Sequence, residues 1–122
     1  RQLDGAHVEF LRGVGNPIGC KVGPTTSPEF VLELCEALNP AQVPGRLTLI
    51  SRMGVDKVED SLRPLLHAVR DAGHPVVWAC DPMHANTFTA PTYTVVREVL
   101  LIEYRVMLPP DALWSISISL VP

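Results

Sequence analysis

Short apolar runs alternate with helical stripes over the first three quarters of the chain. IGCKVG predicts a strand at about 18–23, RLTLIS one at about 46–51, and HPVVWAC one at about 75–80. Each run is short and apolar, the pattern of strands covered on both faces. Between the first two runs, Val31, Leu34, Cys35 and Leu38 fall at i, i+3, i+4 and i+7, which predicts a helix with one apolar stripe. Thr26 or Ser27 suits its N-cap, with Pro28 in the first turn, and Asn39-Pro40 stops it. Between the second and third runs, Val58, Leu62, Leu65, Leu66 and Val69 share a helix face that Gly73 would end. Asp56 and Glu59 have capping-box spacing. A start there puts Pro64 mid-helix, whereas a start at Ser61 puts it in the first turn. Residues 4–14 form an earlier short helical stretch, broken by Gly15-Asn16-Pro17.

Strand–helix alternation of this kind predicts an α/β fold built on a parallel sheet. After Thr92 the character changes. YTVVREVLLIEYRVML fits neither period cleanly and leans towards helix, while SISISL at 115–120 alternates strictly, as a half-exposed strand does. The expected organisation is a segment of β/α units over 1–92 and a tail of different character over 93–122.

The 122 residues are enough for one domain with a core, and a 47% hydrophobic content agrees. A net charge of −3 without basic clusters argues against a nucleic-acid partner. No apolar stretch has the length needed to span a bilayer, since Glu103 and Arg105 break the most hydrophobic late segment. The start, RQLDGAHVEF, carries charges where a secretory leader would need an apolar core. Cys20, Cys35 and Cys80 sit in apolar segments without a CxxC pair, the pattern of buried thiols in a reducing cytoplasm. The chain also begins without Met, which suggests processing or a piece of something longer.

Three residues stand at or just past the predicted strand ends at nearly equal intervals: Lys21 in KVGPTT, Arg52 in SRMG and His84 in CDPMHANT, with gaps of 31 and 32 residues. Parallel strands joined by right-handed crossovers bring their C-terminal ends to one side, where α/β folds build sites. Lys21 and Arg52 suit an anion, Arg52 with a bidentate fork. Gly23, Thr25 and Thr26 would let backbone N–H groups face an anion at a helix start. His84, with Asp81 and Asn86 on the same loop, suits a divalent metal. Cys80 reads as core, and His7, His67 and His74 as structural or solvated.

RQLDGAHVEFLRGVGNPIGCKVGPTTSPE, GRLTLISRMG and GHPVVWACDPMHANT, in this order and spacing, closely resemble the class II (plant-type) 3-deoxy-D-arabino-heptulosonate 7-phosphate (DAHP) synthases. The resemblance implies a TIM-type (β/α)₈ barrel, of which this chain would hold about three of eight units. It implies condensation of phosphoenolpyruvate with erythrose 4-phosphate, the opening step of the shikimate pathway. By matched motif, Lys21 and Arg52 would hold phosphoenolpyruvate, with Lys21 also catalytic, and His84 would ligate Mn²⁺ or Co²⁺. Other members hold the metal with a cysteine further upstream and with a Glu and an Asp further downstream, so the site would be incomplete here. The expected behaviour is that of an internal fragment with little activity by itself. The alternative is a non-catalytic phosphoenolpyruvate-binding fragment, or one that associates with itself or with a full-length relative.

Overall fold

The computed structural model describes residues 2–89 and 94–96, with side chains over 2–87. Helix α1 (Ala6–Arg12) leads into strand β1 (Ile18–Val22), helix α2 (Pro28–Leu38), strand β2 (Leu47–Ser51), helix α3 (Val58–Asp71) and strand β3 (Val77–Cys80). The sheet order is β1-β2-β3, and both pairings are parallel. Lys21 stands level with Ile50, and Ile50 with Ala79. One residue beyond the strands, the Arg52 N–H donates to the Val22 carbonyl at 2.9 Å and the Asp81 N–H to the Ser51 carbonyl at 2.8 Å. The ladder therefore reaches the first residues of both loops.

Short-range hydrogen bonds mark the ends of α2 and α3. The Ser27 hydroxyl caps α2 by accepting from the Phe30 N–H at 3.2 Å, and Pro28 opens the helix where no N–H is needed. Asn39 ends α2, and its buried amide accepts from the Val43 N–H and donates to the Val43 carbonyl, both at 3.0 Å. Helix α3 begins at Val58, so Pro64 lies inside it and returns no hydrogen bond to the turn before. The capping box expected of Asp56 and Glu59 does not form. The Gly54 carbonyl instead accepts from both Lys57 and Val58 N–H groups at 3.0 Å, and Glu59 turns outward to pair with Arg63 at 2.7 Å. Gly73, at φ +74°, ends α3 as anticipated.

Both crossovers step one strand in the same direction, so right-handed connections place both helices on one face. Ile18, Cys20 and Val22 of β1 and Leu47 and Leu49 of β2 point into that face. They pack with Val31, Leu34, Cys35 and Leu38 of α2 and with Val58, Leu62, Leu65 and Val69 of α3. Coverage on both faces, expected from the apolar runs, is therefore met on one side only among the described residues. Gly19 and Lys21 of β1 and Val77 and Ala79 of β3 are exposed on the other. The three β-strands and the helices between them form a parallel α/β arrangement. A closed barrel lies beyond what the described residues show.

After β3 the chain makes a short loop and then an antiparallel pair, β4 (Thr87–Thr89) with β5 (Thr94–Val96). The helical leaning of 93–108 fails at its start, because the β-branched run Thr94, Val95, Val96 is extended. The rest of that segment and the strand expected at 115–120 lie outside the described residues.

Candidate functional site

The C-terminal ends of the three parallel strands carry the site. Lys21 is the fourth residue of the five in β1, Arg52 follows β2 directly, and Asp81 follows β3 directly. Register places Lys21, Arg52 and Asp81 on the side of the sheet away from the helices. They differ by even steps from Ile50 and Ala79, which share that side with Lys21. The structure thus gathers Lys21, Arg52 and His84 at one end of the sheet, as their spacing predicts.

Their partners are not the ones the sequence pattern suggests. Asp81 groups with His84 in the sequence, yet its carboxylate pairs with Lys21, Nζ to Oδ2 at 2.8 Å. The Lys21 hydrogen bond holds the Asp81 carboxyl below the usual carboxylate range, against a smaller opposing push from burial. Arg52 Nη2 sits against the ring of His84, 3.4 Å from Nδ1 and in contact with Nε2. Both side chains are half-buried. The site is therefore two cations, each already engaged, with one carboxylate between strands β1 and β3.

The N–H groups expected to face an anion are partly used within their own turn. The Gly23 N–H donates to Thr26 Oγ1 at 3.2 Å, and the Thr26 N–H donates to the Gly23 carbonyl at 3.1 Å. What this end of the sheet offers an anion is side-chain charge more than a backbone cradle.

A divalent cation fits the described residues poorly. No group of three or more His, Cys, Asp or Glu among them is placed to hold one. His84 is a single donor, and the Arg52 guanidinium lies against both of its ring nitrogens. Cys20 and Cys35 are buried in the core and Cys80 is half-buried behind the sheet. Burial pushes the Cys35 thiol up to about 11, away from metal-binding or nucleophilic form.

Ser51, which pattern reading passed over, and Asn86, which it grouped with His84, hold the site together. Ser51 is almost fully buried at the end of β2 and donates to the Ala79 carbonyl across the sheet at 3.3 Å. Asn86, in the loop after β3, is buried and bonded both within its own loop and to the loop after β2. A buried amide two residues past a candidate ligand is a signal in the sequence, but only a fold shows that it is buried.

No helix among the described residues is long and apolar enough to cross a membrane. The chain is similar over 99 residues, at 56% identity, to a probable phospho-2-dehydro-3-deoxyheptonate aldolase of Pseudomonas fluorescens, covering 81% of this chain and 25% of that protein. It is 55% identical over 92 residues to the phospho-2-dehydro-3-deoxyheptonate aldolase AroG of Mycolicibacterium smegmatis, covering 75% of this chain and 20% of that one. A probable chloroplastic counterpart from Catharanthus roseus is 51% identical over 107 residues, 86% of this chain and 22% of its own. The chain thus spans a quarter or less of the length of the curated relatives it matches. Residues 1–107 match the class-II DAHP synthetase family, and the chain belongs to that family.

Proposed function

We propose that this chain forms part of the phosphoenolpyruvate-binding end of a 3-deoxy-7-phosphoheptulonate synthase, which condenses phosphoenolpyruvate with erythrose 4-phosphate to open the shikimate pathway. The observation that carries the reading is that Lys21 and Arg52 stand at the same end of neighbouring parallel strands, within the residues that match the family. Phosphoenolpyruvate is a small polyanion. Its phosphate and carboxylate need two cations a few ångströms apart, and Arg52 offers a planar fork while Lys21 offers a point charge. Lys21 would have to exchange Asp81 to receive it, while Arg52, held against His84 through Nη2, offers its remaining N–H groups. Lys21 is also the residue assigned a catalytic role, as a proton donor or electrostatic stabiliser beside the reacting carbons.

The family implies a divalent metal, read here as Mn²⁺ or Co²⁺, with His84 as one ligand. The described residues alone do not make that site, and turnover by this chain alone is expected to be negligible. The division into a barrel segment over 1–92 and a tail over 93–122 belongs to the same reading, as do a TIM-type barrel and a cytoplasmic location.

Binding of phosphoenolpyruvate to the chain tests the proposal, followed by amide NMR. Dispersed peaks that shift around Lys21 and Arg52 support it. Arg52→Ala and Lys21→Ala should each weaken binding by roughly tenfold or more, the loss expected for one charge-assisted hydrogen bond. Binding unchanged in both variants sinks the assignment.

A second reading is favoured by the uncovered face. Val77 and Ala79 are exposed on it, and among the described residues β1 and β3 each have one edge without a strand partner. Such a surface suits association with a longer family member or a second copy of the chain. Co-purification with a longer relative supports this, and a monomer in its presence does not.

A further inference from the structure

We propose that Asn86 is a positioning residue, whose buried amide locks the loop after β3 onto the loop after β2 so that His84 and Arg52 face each other. The inference rests on the reading of Arg52 as an anion-binding residue and adds the part that sets its orientation.

Asn86 is 5% exposed. Its Oδ1 accepts from the Val55 N–H at 3.0 Å, and its Nδ2 donates to the Pro82 carbonyl at 2.8 Å. Its own N–H donates to the Met83 carbonyl at 3.3 Å. Val55 lies three residues after Arg52, Pro82 directly after Asp81, and Asn86 two residues after His84. One side chain therefore bonds both loops within three residues of Arg52, Asp81 and His84. A buried amide left without partners would cost stability, and this one has both ends satisfied.

The backbone around it confirms how close the loops lie. A Cβ added to Gly54 would fall 3.2 Å from both the Cβ and the carbonyl oxygen of Ala85. Ala85 itself sits at φ +62°, a left-handed conformation that a residue with a Cβ adopts only when its surroundings hold it there. The Asn86 amide, next in the chain, supplies that hold. Aspartate at 86 keeps the acceptor but cannot donate to Pro82 when ionised, and alanine keeps neither bond. Neither replacement changes the charge or reach of Arg52 or His84.

A residue that only stabilised the fold would alter the fraction folded without altering the folded site. The test therefore reads the site in the folded chain. In the 122-residue chain, a nuclear Overhauser contact should link the Arg52 guanidinium to the His84 ring, and the Val55 amide should exchange slowly with solvent. Asn86→Asp and Asn86→Ala should lose the Arg52–His84 contact and raise the phosphoenolpyruvate dissociation constant by about fivefold to tenfold. Core amides such as Leu34 and Leu65 should stay in place. Ser27→Ala, which removes a helix cap away from both loops, should lower stability and leave the dissociation constant alone.

A folded Asn86→Asp protein that retains the contact and binds phosphoenolpyruvate within about twofold of wild type overturns the proposal. So does a wild-type Val55 amide that exchanges at the rate of an unprotected peptide, a result that needs no variant. Should the wild type show the Arg52–His84 contact but no response to phosphoenolpyruvate, the substrate reading fails. The clamp is then judged on the contact and the exchange rate.

Discussion

Replacing Asp81 with asparagine separates two effects of the Lys21–Asp81 pair. At 2.8 Å, two unit charges attract by about 1.5 kcal/mol in a water-like dielectric and about 6 kcal/mol at an effective constant of 20. Most of that is offset by lost hydration and side-chain freedom. Pairs on protein surfaces net about 0.2–1 kcal/mol. The Lys21 side chain is 52% exposed and that of Asp81 only 21%, so the net value belongs near the top of that range, about 1 kcal/mol. With a urea m-value of about 1–3 kcal/mol/M, Asp81→Asn should lower the unfolding midpoint by about 0.3–1 M at pH 7.

The pH dependence has a definite sign. Asp81 titrates lower in the folded chain than in the unfolded one, where its pKa is about 3.9. Between those two values the unfolded state binds more protons, so stability rises with pH. The advantage of wild type over Asp81→Asn is thus complete above about pH 5 and shrinks as pH falls through the lowered folded value. The same substitution should help an anion. Removing a negative charge about 5 Å from a bound phosphate relieves about 0.8 kcal/mol in a water-like dielectric, so phosphoenolpyruvate should bind about threefold to fivefold more tightly. Urea titrations at pH 7 and pH 3, together with a binding isotherm at pH 7, check both. A midpoint difference as large at pH 3 as at pH 7 refutes the electrostatic account. Weaker binding in Asp81→Asn would show that the carboxylate orients Lys21 for the ligand and does not compete with it.

Other perturbations report on single features. Leu65 is fully buried between α3 and the sheet, so Leu65→Ala should cost about 2–5 kcal/mol, read by urea or thermal unfolding. Ala85→Gly should relieve the left-handed strain at φ +62° and stabilise the fold by about 1 kcal/mol, seen as a raised melting temperature. Cys35, buried and with its thiol pushed up to about 11, should resist alkylation at pH 8 long after Cys80 has reacted, a difference that peptide mass mapping would detect.

Much of the architecture was written in local pattern, because period and punctuation act over a few residues. The stripe Val31, Leu34, Cys35, Leu38 could bury itself only as a helix, and the Ser27 cap and Gly73 stop are local hydrogen-bond and backbone requirements. The start of α3 was not legible in this way. Asp56, Glu59 and Pro64 pointed to conflicting boundaries, and tertiary burial of Val58 and Leu62 settled the matter against the proline. The three-residue start of β5 was likewise ambiguous in a segment with no clean period.

What the sequence by itself determined was that Lys21, Arg52 and His84 would stand at one end of the sheet. Equal strand–helix spacing and one-handed crossovers leave little choice of where strand ends go. Which charge would pair with which was decided only in three dimensions. Lys21 and Asp81 are 60 residues apart and lie across β2 from each other, and Arg52 and His84 are 32 apart. Such partners depend on register, loop path and the reach of long side chains, none of which a local pattern encodes. The open face follows the same logic: an apolar strand declares that it seeks burial, but which of its sides is covered depends on where the rest of the fold lies.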